Sequence, residues 1–358
     1  MPKYEHILRA VSQTPWAILE DKLADIKAFL ARAAGNSSLS KEEIRAQFQQ
    51  APQRERIMVG SVEVIPVQGV ISQKVNMMTE FSGGTSTELL TQEIQRAVDD
   101  KKVSTILLDI DSPGGSVYGV PELADFMMQA RQKKRIVALA NPVAASAAYW
   151  IAAAASEIVV APSGQVGSIG VICVHDDVSE AQKMSGVRTT VLRAGKFKAE
   201  GNPFEPLDEE GRAAIQASLE AYYDMFVRAV ASGRGADPRS VRSGFGQGRM
   251  VMAAEAKAQG MADRIGTLDA TLGRLLLRSA RQSGDKSAIS TIRDFEAFLR
   301  DEGGFSNTEA KKIASAGYEE DRLPPRDGEG APVPETVPGV VDQEGLAALR
   351  AFTDQVTR

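Results

Sequence analysis

Between residues 57 and 280 the chain repeats one pattern: a short run of Val, Ile and Leu with little polar alternation, then a helix-length segment. SVEVIPVQGVI, TILLDI, RIVALA, EIVVAP, IGVICV and VRTTVL read as strands; VPELADFMMQA, residues 144–155 and VSEAQKMSG read as helices. Strands with no polar face must be covered on both sides, and parallel strands joined by crossover helices achieve that. The expected fold is therefore α/β with mostly parallel pairing. A long helix, DEEGRAAIQASLEAYYDMFVRAVASG, follows, with acids in its first turn and Gly233 expected beyond its end.

The flanks read differently, which divides the chain into an arm (1–52), the α/β domain (53–280) and a tail (281–358). In the arm Ile18, Leu19, Leu23, Ile26, Phe29 and Leu30 recur at helical spacing up to Gly35, and SKEEIRAQFQQ reads as a second helix. In the tail, STIRDFEAFLRDEGGFSNTEAKKIASAG reads as two small helices, the second opening with a capping box, Ser306 and Glu309, and closing at Gly317. Residues 319–345 carry five prolines and many acids, the composition of a disordered linker, and LAALRAFTDQVTR reads as a last helix.

Composition removes several functions. A formal net charge of −5 offers no basic footprint for nucleic acid. The one cysteine, Cys173, has no internal partner for a disulfide. With only His6 and His175 beside it, a His/Cys metal site lacks ligands, no spaced Asp/Glu motif supplies one, and no cofactor is expected. A Ser-His-Asp triad would have to use one of those two histidines. The N-terminus lacks the pattern of a secretory signal, and no membrane anchor is expected: Ile136–Ala155 is broken by Asn141, Pro142 and Ser146 and reads as strand, turn and buried helix.

Three stretches carry chemistry that strand-helix packing does not require. In DIDSPGGSVYG (109–119) a strand ends and two glycines force a tight turn, whose bare N–H groups suit an oxyanion hole. In NPVAASAAYWIAAAA (141–155) Pro142 is expected to stop the strand. Ser146 then falls near the first turn of a helix, among residues small enough for a peptide to approach, with the Ala147 N–H beside it. An ordinary helical serine would only bond back to the preceding turn. In AGKFKAEGNPFEP (194–206), expected to follow a strand, Lys196 and Lys198 would point to opposite faces, so one of them can look into a site. A lysine is a general base only where burial takes its proton.

Together and in this order, DSPGGSVYG, the small-residue stretch around Ser146, VGSIGV (166–171), GKFKAEGNPFEPL and AAEAKAQGMADRIGTL resemble the signal peptide peptidase A family of serine proteases, over about residues 58–275. The resemblance implies a Clp-protease/crotonase-like spiral of β-β-α units. It implies Ser146 as nucleophile, Lys198 and not Lys196 as general base, Ser168 orienting that lysine, and the Gly114 and Ala147 N–H groups as oxyanion donors. Clp proteases carry a histidine after the strand ending in Ala161-Pro162; here that neighbourhood holds Gly167, Ser168 and Ile169, and His175 comes too late, which favours a Ser/Lys dyad.

TPWAILEDKLADIKAFLARAAG and DFEAFLRDEGGFSNTEAKKIASAG further resemble the ends of the bacteriophage capsid assembly (prohead) proteases. That implies a homo-oligomer in host cytoplasm, inside an assembling procapsid, cleaving scaffold, portal or major capsid protein. The alternatives are a crotonase-type acyl-CoA enzyme on the same fold and a non-catalytic capsid scaffold or assembly component.

Overall fold

The computed structural model describes residues 11, 14–35, 56–75, 83–282, 291–301 and 305–320. Strand β1 (Trp16–Ile18) and helix α1 (Glu20–Gly35) come first. Then follow β2 (Ile57–Val59), β3 (Val62–Gln68), β4 (Ile71–Ser72), β5 (Thr85–Ser86) and α2 (Thr87–Asp99). The centre is β6 (Thr105–Ser112), β7 (Gly114–Ser116), α3 (Val120–Lys133), β8 (Arg135–Ala145), α4 (Ala147–Ala153), β9 (Glu157–Val160) and β10 (Gln165–Gly167). Beyond it lie α5 (Ser179–Met184), α6 (Glu209–Arg234), α7 (Pro238–Gly244), β11 (Met250–Met252) and α8 (Ala253–Ala258). Last come β12 (Arg264–Ile265), α9 (Leu268–Gln282), α10 (Ile292–Asp301) and α11 (Asn307–Glu320).

The expected α/β architecture is present. An eight-stranded sheet runs β11-β10-β8-β6-β3-β2, with β9 paired to β8 and β12 to β9; a smaller sheet runs β1-β7-β4-β5. The pairs β3–β6, β6–β8, β8–β9 and β8–β10 are parallel. Along these strands successive side chains face opposite layers. Ile65, Ile106, Leu108, Ile110, Ile136 and Ala138 join the core that also holds residues of α2, α3, α4 and α6. Val62, Val64, Leu107, Val137, Leu139 and Val159 face the other way, onto α9, α10 and α11. The strands lack polar alternation because helices cover both faces.

Several expectations fail, each for a visible reason. Pro142 does not end its strand: β8 runs on to Ala145, through a cis Asn141–Pro142 bond. Its pairing with β9 ends at Ala140 and with β10 begins at Val143, while the β6 register jumps from Ile110↔Ala140 to Ser112↔Ala144. Pro142 thus sits in a bulge where no ladder bond needs its missing N–H. Gly233 lies inside α6, and the left-handed cap is Gly235. A Cβ on Gly233 would come 2.0 Å from the Ala153 carbonyl oxygen, so that glycine serves close helix packing.

VRTTVL forms no regular element, and Leu192 is 91% exposed. In IGVICV only Ile172 makes a bridge, to Trp16. Among the described residues of the arm a strand, β1, precedes the helix α1. The Ser306–Glu309 capping box forms, with bonds of 3.0 and 3.3 Å, but α11 runs past Gly317 to Glu320. SKEEIRAQFQQ, the acidic linker and the last helix lie outside the described residues. Among the described residues no helix is long and apolar enough to cross a membrane.

Phe295 of α10 is 0% exposed within the layer under the sheet. Phe295→Ala should therefore lower unfolding stability by about 3–5 kcal/mol in urea denaturation. A change within experimental error would mean that the tail helices are not part of this folding unit.

Candidate active site

Ser146 occupies the corner between β8 and α4. Its backbone, φ 53 and ψ −115, is one that side-chain-bearing residues rarely adopt, so the serine precedes the helix instead of lying in it. Two interactions hold it there: its N–H donates to the Gly167 carbonyl at 2.7 Å, and its C=O accepts from the Trp150 N–H at 2.9 Å. The hydroxyl, 1% exposed with its residue, reaches the Gly170 carbonyl at 3.4 Å, well beyond the ~2.8 Å of a settled O–H···O bond. Its neighbours along the chain, Ala144, Ala145, Ala147 and Ala148, are all fully buried.

The glycine turn packs against this corner. A Cβ on Gly114 (φ 97) would come 3.0 Å from the Ala145 carbonyl oxygen and 2.2 Å from that of Ala17; one on Gly115 would come 1.9 Å from that of Ile71. Gly115 is wedged between β1 and β4, and no other residue type fits either place. The Gly114 N–H is engaged at 3.1 Å by the Ser112 hydroxyl, which donates to the Gly69 carbonyl at 2.6 Å. Ser168 follows Gly167, also at positive φ (53), and its N–H donates to the Arg249 carbonyl at 2.9 Å. Gly114, Ser146, Ala147 and Ser168 are thus carried by neighbouring strand ends.

Lys198 is placed differently. It is exposed, in a run of turns at 195–201 fastened by short-range bonds such as Lys198 N–H to Gly195 O (3.2 Å), and no strand precedes it. It lines a cleft of about 940 Å³ whose wall also includes Pro15, Tyr118, His175 and Tyr222. Among the described residues its amine makes no hydrogen bond or ion pair, to Ser146 or to any other group. Lys196 is occupied: its amine bonds Glu210 at 2.6 Å and lies 4.5 Å from the centre of the Phe197 ring. His175 Nε2 stands 3.4 Å from the Asn202 carbonyl. Burial pushes the Cys173 thiol up, and Lys27 pulls it down more weakly. Among the described residues no group of three or more His, Cys, Asp or Glu is arranged for a metal ion.

Strand β1 escaped the sequence reading. It lies antiparallel to β7, with Ala17 opposite Gly115 and Ile18 opposite Gly114. Its signal was a Pro followed by large-small-large apolar residues (Trp16, Ala17, Ile18), hidden because Ile18 also fitted the helical spacing of α1.

Residues 128–280 match the family model of peptidase family S49, and residues 67–166 that of Clp protease. Head-tail preconnector protein GP5 of Enterobacteria phage P21 is 34% identical over 242 residues, covering 63% of this chain and 48% of that protein. Capsid assembly protease C of Escherichia phage lambda is 33% identical over 175 residues, covering 49% and 40%. Protease 4 of Salmonella typhi is 30% identical over 211 residues, covering 59% and 33%. The chain therefore spans half or less of the length of these relatives. The resemblance read from the motifs is borne out: the α/β domain is Clp-like and matches a serine peptidase family with phage capsid-assembly relatives.

The corner predicts a stability order. Positive φ costs a side-chain-bearing residue about 1–3 kcal/mol, of which glycine's greater unfolded freedom cancels ~0.5–1. Ser146→Gly should therefore be more stable than Ser146→Ala by about 1 kcal/mol in urea denaturation. The reverse order would mean that the corner is unstrained.

Proposed function

We propose that this chain is a serine endopeptidase of capsid maturation, working through Ser146 and Lys198. What carries the reading is the Ser146 corner: a hydroxyl on a sharp strand-to-helix turn, flanked along the chain by buried alanines and packed against a glycine turn. Packing alone gives no reason for a serine at φ 53, where glycine would fit without strain.

In the proposed reaction neutral Lys198 takes the proton from Ser146 as Oγ attacks a peptide carbonyl. The oxyanion settles on the Gly114 and Ala147 N–H groups, drawing the first from its bond to Ser112. The lysine then protonates the departing amine, and water releases the acyl group by the same route. Ser168 orients the lysine. The base must come within about 3 Å of the hydroxyl, so the 195–201 turns have to close on the corner as the site assembles. Lys198 suits that role better than Lys196, whose amine is held by Glu210. The proposal extends to a homo-oligomer inside an assembling procapsid, with scaffold, portal or major capsid protein as substrate; the head-tail preconnector and capsid assembly protease relatives support the capsid setting alone.

Substitution separates the roles. Ser146→Ala should abolish peptide hydrolysis while the chain stays folded. Lys198→Arg should be as inactive as Lys198→Met, because guanidinium keeps its proton, with a loss of ~10²- to 10⁴-fold or more. Lys196→Arg and His175→Ala should keep most of the activity in a fluorogenic peptide assay. If His175→Ala is the inactive one and Lys198→Arg works, the base is the histidine.

A further inference from the structure

Residues Pro15–Leu19 run as an inserted strand beside the Ser146 corner, bonded along both edges. On one edge Trp16 exchanges hydrogen bonds with Ile172, N–H to O at 2.8 Å and O from N–H at 2.9 Å. On the other, β1 pairs with β7, and the Leu19 N–H to Pro113 O (3.0 Å) and Val117 N–H to Pro15 O (3.3 Å) bonds extend the ladder either way. An extended peptide added to a sheet edge bonds through its main chain in this manner and is selected by alternate side chains.

The side chains alternate accordingly. Trp16 and Ile18 sit in a buried apolar cluster with Leu23 and Ile26, against Val70, Ile172 and Val174. Ala17 points the other way, fully buried, into the core that holds Ala144 and Ala147, on either side of Ser146 along the chain. The Ala17 carbonyl lies over Gly114, where Ala145, the neighbour of Ser146, also approaches. Gly114, whose missing Cβ leaves room for this main chain, also carries the N–H proposed as an oxyanion donor.

We infer that Pro15–Leu19 fills the peptide-binding groove of the resting chain as a resident pseudo-substrate. The groove then accepts extended peptides with a small residue flanked by large apolar ones, as in Trp16-Ala17-Ile18. The inference rests on the serine-peptidase reading and adds to it the substrate pattern and a block on the free site.

The test follows labelling of Ser146 by a fluorophosphonate in the full chain and in Ala17→Arg, whose side chain does not fit the buried position. Labelling should be at least tenfold faster in Ala17→Arg. Equal rates in two folded chains overturn the inference and leave the peptidase reading standing; no labelling in either overturns the peptidase reading, and this inference with it. Hydrogen exchange on the unaltered chain gives a result that does not depend on the folding of Ala17→Arg. The synthetic peptide TPWAILED, at several millimolar to compete with the tethered arm, should speed exchange of the Trp16 amide about tenfold and leave the Ile172 amide protected. The same peptide with Arg in place of Ala should change neither. An unchanged Trp16 amide with TPWAILED, or equal effects of both peptides, would overturn the inference.

Discussion

The hydrogen bond from the Ser146 N–H to the Gly167 carbonyl is the joint on which the site depends. It adds one rung to the β8–β10 ladder beyond Ala145↔Gly167, just as the Ser146 backbone turns away into α4. A strained corner persists only where its surroundings over-determine it, and here they do. On its far side β10 is pinned by β11, with Gly167 opposite Met250, and the next N–H, that of Ser168, goes to Arg249. The bulge at Pro142 makes this possible, because there β8 exchanges β9 for β10.

The helix behind the corner explains the alanines. All seven residues of α4 are buried, and it is gripped from several directions. Trp150 stacks on Phe226 of α6 at 4.5 Å and 11°, the Tyr149 hydroxyl donates to the Met261 carbonyl at 2.9 Å, and Gly233 lets α6 touch Ala153. Approach this close admits only methyl groups in most places. An alanine-rich stretch is thus what packing demands of 147–155, while Ser146, just outside the helix, has no such reason to be a serine.

What was legible in the sequence follows from where the energy lies. Val/Ile/Leu runs such as TILLDI and RIVALA can be stable only inside, so their strands and parallel pairing were readable. VRTTVL has the same β propensity but no covering layer: Val187 and Leu192 are exposed, and propensity without burial makes no strand. IGVICV contains Gly170, packs only partly and, among the described residues, pairs only with β1, a partner far away along the chain (Trp16 with Ile172) that local patterning cannot announce. The Gly114, Ser146, Ala147 and Ser168 positions were legible because strand ends fix them. Lys198 was legible as a residue type in a motif, and its location was not, because turns carry no periodicity.

That location has a chemical consequence. A general base has to stand beside the proton it takes, and among the described residues the Lys198 amine, on the cleft wall, makes no bond to Ser146. The proposed dyad therefore becomes competent when Lys198 is carried toward Ser146. Pro15 belongs to both places: it lines the cleft with Lys198, and its carbonyl accepts the bond that starts the β1–β7 ladder. Displacing β1 would accordingly change the wall of the lysine's cleft as well as open the groove. On the proposed reading, access to Ser146 and the wall around Lys198 are then coupled through one short segment of the arm.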